Sequence, residues 1–386
     1  MLFGVASLAA GLAQSPTALI CARVVQGTAA AAMIPQVLVT FRTMFSGEER
    51  GKAFGMYGAI LGFASALGLV LGGALTDADL FGWGWRTVFF ANVPIALVSV
   101  VAAIRVVPET HDPEAGRPDV VGAGLLAAAI AYPLLEGRSL GWPAWSWLVL
   151  AAGLAGLVTL GVLEERRRHT RIAPLLRTPL LRIPAFSAGL VVQFAFSAGL
   201  QGFFLTFAVW LQTGIGFSAL GAGLTALAFS VGSFALARAA VPLAERHGRL
   251  ILSSGGLLMA LGVVGVAAGA GHVGHASDPW PIVPGLVVAG IGLSLLVIPL
   301  VNVVLAAVPH QAAGGAGGMF STAQQLGGAL GVAIVGSVFF THLDDHSFTA
   351  SFEYAAPVVI GLFLTSAVLA LALPRTAVGE EAVADV

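Results

Sequence analysis

Residues Gly58–Gly73, GAILGFASALGLVLGG, carry no charge, and Gly58, Gly62, Ser65 and Gly72 recur among them at helical spacing. At about 100° per residue these four share one helix face, with Gly68 and Gly73 at its margins. A water-soluble helix tolerates such a face badly, because each glycine costs roughly 1 kcal/mol relative to alanine. In a bilayer the same face lets two helix backbones approach closely, and packing then holds them together. The run therefore predicts a membrane-embedded, closely packed helix. Composition agrees: 58% of the 386 residues are hydrophobic and 10% are charged, against about 25% charged in soluble domains. A formal net charge of −1 offers no footprint for nucleic acid. The only cysteine, Cys21, excludes an intrachain disulfide and a cysteine cluster for metal. It lies in an apolar run, where a buried thiol is expected. Met1 starts inside an apolar stretch, with no charged segment of the signal-peptide kind before it.

Read against the roughly 20 apolar residues that a crossing needs, the chain divides into twelve apolar spans. The first, Met1 to Ala13, is short for a crossing; the next three run about Thr17–Phe41, Phe54–Leu75 and Trp85–Ile104. After the charged joint Pro108–Asp119 come Val120–Leu135 and Trp145–Leu163, then a basic joint from Glu164 to Arg182. The remaining six are about Ala185–Leu211, Leu220–Val241, Leu250–Gly269, Ile282–Ala307, Ala313–Phe340 and Ala355–Leu373, followed by an acidic tail. One set of alternate joints holds nearly all the basic residues, from Arg42, Arg50 and Lys52 through Arg166, Arg167 and Arg168 to Arg246 and Arg249. The other set holds only Arg86 and Arg138. The basic-rich side is expected to be cytoplasmic, which places the C-terminus inside and Asp77, Asp79, His272 and His342 in outer joints. Trp83, Trp85, Trp142, Trp145, Trp147 and Trp280 fall at span ends, where an interfacial belt belongs. A second glycine-rich helix, Gly314–Gly336, includes Gly327, Gly328 and Gly331. Two such helices in corresponding places suggest the internal repeat of a transporter.

The Gly58–Gly73 run resembles the antiporter signature GxxxGPxxGG on the fifth helix of the major facilitator superfamily. It departs where Ala64 stands for the first glycine and Leu69 for the proline. Ala22–Met33, ARVVQGTAAAAM, resembles the superfamily's fourth-helix signature, with Arg23, Gln26 and Gly27 in the matching places. Trp85–Pro94, WRTVFFANVP, is similar to the opening of the sixth helix in the fourteen-helix drug:proton antiporter branch. The basic joint with Pro174–Leu176, the stretch Trp210–Gly223 and the pair Gln324 and Gln325 resemble that branch too. The resemblance covers nearly the whole chain and implies an all-α integral membrane bundle of the major facilitator type.

In that register the arginine motif falls on span two and the glycine motif on span three. The spans therefore correspond to helices three to fourteen of the fourteen-helix pattern, without the acidic residue of helix one or the basic loop after helix two. An echo of that loop stands at Glu245–Arg249. A start read too late and a shortened form both fit. The implied organisation is residues 1–107 as the remainder of the N-terminal half, 108–183 as a two-helix central insertion, 184–373 as a six-helix C-terminal half and 374–386 as a cytoplasmic tail.

An intramembrane arginine such as Arg23 points to a polar pathway; a snorkelling arginine is the alternative. By resemblance, spans two, seven and ten line a central cavity, which makes Arg23, Gln26, Met33, Gln193, Phe196, Gln201 and Asn302 the candidates for substrate contact. Phenylalanine and methionine there would suit flat, apolar, variable ligands. The competing reading is that membrane glutamines and asparagines bond neighbouring helices. The glycines Gly58, Gly62, Gly68, Gly72, Gly73, Gly327, Gly328 and Gly331 are expected to form the packed hinges of a rocking transporter. Gly47–Ala53, GEERGKA, is one residue short of a phosphate loop and ends in alanine, so neither ATP coupling nor another cofactor is expected. His342 with His346, and His272 with His275, read as solvated loop residues rather than a metal site. The function implied by the resemblance is multidrug-type efflux of hydrophobic or amphipathic small molecules across the plasma membrane, coupled to protons. Export or uptake of an endogenous metabolite is the alternative, and a non-transporting sensor or assembly partner a third. No catalytic constellation marks an enzyme.

Overall fold

The computed structural model describes residues 1–45, 70–107, 178–273, 278–308, 313–344 and 346–373, with isolated positions at 49, 64, 67 and 68 and between 145 and 159. Gly58, Gly62, most of the expected insertion at 108–183 and the tail lie outside the described residues. In a bilayer every backbone polar group must be satisfied internally, and apolar sequence of this length meets that demand as helix. Among the described residues the regular structure is helical throughout. The helices are α1 (Leu2–Gly11), α2 (Pro16–Met44), α3 (Arg86–Val106), α4 (Pro184–Val209), α5 (Ala219–His247), α6 (Arg249–Ala270), α7 (Val283–Ala306), α8 (Ala313–Leu343) and α9 (Phe348–Ala370). The stretch 70–77 is helical as well. Seven helices among the described residues are long and apolar enough to cross a membrane: α3 to α9.

Local chemistry sets the ends of these helices. Pro184 opens α4, where a missing N–H costs nothing. Ser218 caps α5 by accepting a hydrogen bond from the Gly221 amide at 3.1 Å, and Ser347 caps α9 from the Ala350 amide at 3.3 Å. That second cap starts α9 seven residues before the apolar count begins at Ala355. The first turns bury Ser351 and Phe352 while Glu353 and Tyr354 face outward, so a polar side chain interrupts the hydropathy and not the helix. At its other end α5 runs on through Glu245 and Arg246 to Gly248, whose φ of 58° turns the chain into α6. Arg249 then donates to the Leu371 carbonyl at 2.6 Å, placing a cation at the C-terminus of α9.

The core of the C-terminal half forms around α4, which packs on α8 and α9, while α7 packs on α5 and α6. Phe203 stacks on Phe207 at 5.3 Å and Trp210 on Phe352 at 4.7 Å. The indole N–H of Trp210 donates to Thr349 at 3.1 Å, so the π-helical turn Trp210–Ile215 is pinned to α9. Gly327 and Gly331 lie on the backbone carbonyls of Phe194 and Ala198, where any side chain would collide. In the N-terminal part, α1 packs on α2 and α3. Ser7 donates to the Phe89 carbonyl at 3.0 Å and accepts from Asn92 at 3.2 Å. Cys21 is exposed on α2 rather than buried, because an apolar residue on a membrane helix is as much at home facing lipid as facing protein.

Candidate functional site

A cavity of about 820 Å³ lies where Gly68, the stretch 70–77 and the start of α3 face α4, α5 and α7. It straddles the seam between the N-terminal part and the C-terminal half. On α5 the stripe Ala219, Ala222, Gly223 and Ala226 carries no bulk, and it gives way deeper in to Ser230 and Ser233. On α4 and its π-helical turn, Gln201, Phe204, Ala208 and Gln212 recur along one face. Phe204 is held edge-on to Phe229 at 5.2 Å and to Phe203 at 5.5 Å. Trp85 closes the opposite wall. The Arg86 guanidinium sits 4.6 Å from the Trp85 ring centre and donates to the Ala13 carbonyl at 2.9 Å, which fixes that edge of the cavity to the link between α1 and α2.

Gly68 and Gly72 face open space: a Cβ at either would meet nothing within 4 Å. Gly73, one residue on, does the opposite. A Cβ there would lie 2.5 Å from the Ala219 carbonyl oxygen and 2.7 Å from the Leu220 Cα. The first two thus give the cavity its width, and the third lets the two halves meet at its rim.

Among the described lining residues there is no ionisable side chain; the polar groups are Thr76, Gln201, Gln212, Ser230 and Ser233. Such a wall solvates hydroxyl, carbonyl and amide groups and stacks on aromatic faces, but gives a buried charge no counter-ion. A carboxylate stands at the rim. Asp77 accepts hydrogen bonds from the Ala219 amide at 3.1 Å and the Leu220 amide at 2.9 Å. The Ser218 hydroxyl and those two amides hold its carboxyl below the usual carboxylate range.

Of the residues singled out in the sequence, Gln201, Gly68, Gly72 and Gly73 belong to this cavity. Gly328 backs it, since a Cβ there would lie 3.0 Å from the Gln201 Cγ. The rest lie elsewhere. Arg23 is exposed, donates to the Gln26 Oε1 at 2.8 Å and rests 5.6 Å from the Phe89 ring centre. Met33 and Asn302 are exposed. Phe196 is in the core against Phe363 at 6.5 Å. Gln193 is buried and donates to Ser197 at 3.0 Å, leaving its Oε1 without a hydrogen-bond partner. His342 stacks on Tyr354 at 3.9 Å. Thr76, Gln212 and the serines of α5 also line the cavity without having been marked as substrate contacts, as does Trp85, which the sequence placed in the interfacial belt. The α5 set had a signal: small residues at 219, 222, 223 and 226 leading to serines at 230 and 233 form one continuous stripe at helical spacing.

Comparison with known proteins agrees with this architecture. The sequence profile of the Major Facilitator Superfamily matches residues 1–332. The chain is 38% identical to the "Probable actinorhodin transporter" of Streptomyces coelicolor over 92% of its own length and 62% of the relative's. It is 32% identical to the "Puromycin resistance protein pur8" of Streptomyces alboniger over 98% of its length and 78% of the relative's. It is 30% identical to the "Multidrug efflux pump LfrA" of Mycolicibacterium smegmatis, covering 87% of the chain and 66% of that protein. The chain therefore spans roughly three fifths to four fifths of these relatives. In overall fold it is similar to a POT family transporter crystallised with 5-aminolevulinic acid, with a TM-score of 0.61 at 13% identity over 94% of the chain and 78% of that structure. The helical bundle, the cavity at its seam and the profile match together place the chain in the major facilitator superfamily.

Proposed function

We propose that this protein is a secondary active efflux transporter of the multidrug type, exporting uncharged or amphipathic small molecules across the plasma membrane. The observation that carries this reading is the seam cavity, wide, aromatic and free of charge among its described residues. The relatives named for actinorhodin transport, puromycin resistance and multidrug efflux support it. Sidedness follows the basic residues: the Arg246 and Arg249 end is cytoplasmic, with the C-terminus, and the Asp77, Ser218 and Trp280 end is outer. The twelve-span organisation, with a two-helix insertion at 108–183, belongs to the same proposal. Alternating access would open the cavity to each side in turn as the two halves rock. Proton antiport is part of the proposal, with the coupling acid outside the described lining residues, which carry no titratable group. Gln201 and Gln212 are the substrate-contacting amides, and Arg23 with Gln26 a polar contact within the N-terminal part. A second reading, export or uptake of an endogenous metabolite, is favoured by the identity to the relative named for actinorhodin transport.

The test is efflux from cells stripped of their own pumps. Expression should lower accumulation of an uncharged planar antibiotic. Gly72→Leu, which places a side chain in the open space of the cavity, should cut the efflux rate about tenfold or more with unchanged surface expression. Accumulation equal to that of empty-vector cells for a panel of uncharged and cationic compounds would overturn the reading.

A further inference from the structure

We propose that Asp77 and the first turn of α5 form a latch that holds the cavity shut at its outer rim, and that breaking it is the opening step of release. This rests on the export reading above. Asp77 ends the helical stretch 70–77, and Ala219 and Leu220 begin α5, more than 140 residues away in sequence. The two carboxylate oxygens divide the work: Oδ1 takes the Ala219 amide and Oδ2 the Leu220 amide. These are among the first amides of the helix, which have no acceptor inside it. The negative charge also sits at the positive end of the α5 dipole. Ser218 belongs to both sides of the joint. Beside the Asp77 carboxyl its hydroxyl helps to hold the pKa down, and its oxygen accepts from the Gly221 amide at 3.1 Å. Immediately inward, Gly73 brings its backbone onto Ala219 and Leu220 without an intervening side chain. Polar clamp and close contact are thus adjacent, and both cross the seam.

The position gives the latch its consequence. Ala219, within the clamp, and Thr76 and Gly73, one and four residues inward of Asp77, line the outer rim of the cavity, while Ser233, Phe234 and Leu293 lie deeper. Cargo leaving on the outer side must part the stretch 70–77 from α5. Opening exposes two α5 amides and the carboxylate to water, which solvates all three, so the cost is moderate and the latch is reversible. Asp77 is a positioning residue: it does not itself line the cavity, and it sets how often the rim is open.

The experiment uses the full chain with Cys21→Ser, which removes the only cysteine, and Thr76→Cys as a near-isosteric reporter just inside the clamp. A membrane-impermeant maleimide is applied to the outer face of intact cells. With the latch intact, labelling is slow. Asp77→Ala should raise the labelling rate about fivefold or more. Asp77→Asn, which keeps one acceptor oxygen, and Ser218→Ala, which works from the other half, should each give a smaller rise. The same reagent on the cytoplasmic face of inside-out vesicles should label the latch variants no faster. Equal outer rates in all four proteins would overturn the proposal, as would a faster rate from the cytoplasmic face alone. If Asp77→Ala does not reach the membrane, Asp77→Asn and Ser218→Ala carry the test. Labelling needs no transported compound, so a shift without drug efflux would sink the export reading and leave the latch. Normal efflux without a shift would sink the latch alone.

Discussion

Gly72 and Gly331 both sit in glycine-rich apolar runs, yet they face opposite surroundings. Around Gly72 and Gly68 there is empty space, the volume of the cavity. Gly331 and Gly327 press on the carbonyls of Ala198 and Phe194, so that α4 and α8 touch backbone to backbone. Gly73 is of the second kind, one residue from the first kind. A small-residue stripe in a membrane helix therefore has two uses that sequence does not separate. One admits another helix, and the other keeps helices away from a space meant for a ligand.

The difference is a difference of sign, which makes it measurable. Gly331→Ala should destabilise the protein by about 1–3 kcal/mol, since the added methyl meets a backbone oxygen that cannot give way. Gly68→Ala and Gly72→Ala should be neutral or stabilising by up to about 1 kcal/mol, since they improve helix propensity and collide with nothing. Thermal denaturation in detergent, read by fluorescence-detected size exclusion, checks all three. A loss of stability at Gly72 equal to that at Gly331 would erase the distinction. The largest effect in this set is at Gly331.

A smaller effect sharpens the comparison from the other wall. Gln201 and Gln212 stand opposite the two open glycines, on α4 and its π-helical turn. If they bind cargo rather than neighbouring helices, removing both should lower efflux of a hydroxylated or quinone-like aromatic about fivefold and spare a compound without hydrogen-bonding groups. Transport assays with a matched pair of such compounds decide it. Equal losses for both would assign the amides to helix packing.

Among the described residues seven of the spans stand as crossing helices, legible because a bilayer demands long apolar helices, and six of them begin within a residue or two of the hydropathy limits. The exception, α9, begins at a serine cap that hydropathy does not register. The family was legible too, from motifs such as WRTVFFANVP whose order survives loose matching. The cavity was less so. Gln201 was in view, but Gln193, on the same helix, is buried against Ser197, and nothing in a single sequence distinguishes the two. Asp77 was read as one more carboxylate in an outer joint beside Asp79. The structure separates them: Asp79 accepts from the Gly84 amide five residues on at 2.6 Å, a local turn, whereas Asp77 reaches another helix. A contact between residues so far apart leaves no local trace.

That separation also bears on coupling, and here the expected effect is the smallest. Hydrogen bonds from Ser218, Leu220 and Ala219 depress the Asp77 pKa below its ordinary 3.8. A depressed carboxylate supports the closed rim fully above the unlatched pKa and loses that support only as pH falls through the lowered value. The charged groups around it do not change this. Asp79 is engaged with Gly84, Arg86 with Ala13, and the first turns of α5, from Ala219 to Phe229, contain no titratable side chain. Outer labelling of the Thr76→Cys reporter should therefore be flat across about pH 5–8 once corrected for the thiolate fraction of the reporter itself. It should rise only in acid below the ordinary carboxylate range. A step near neutral pH would make the rim itself proton-sensitive and would require a titrating partner close to Asp77. A flat profile leaves the proton to a group away from this rim, and it makes cargo and helix motion, rather than external acidity, the agents that open the seam.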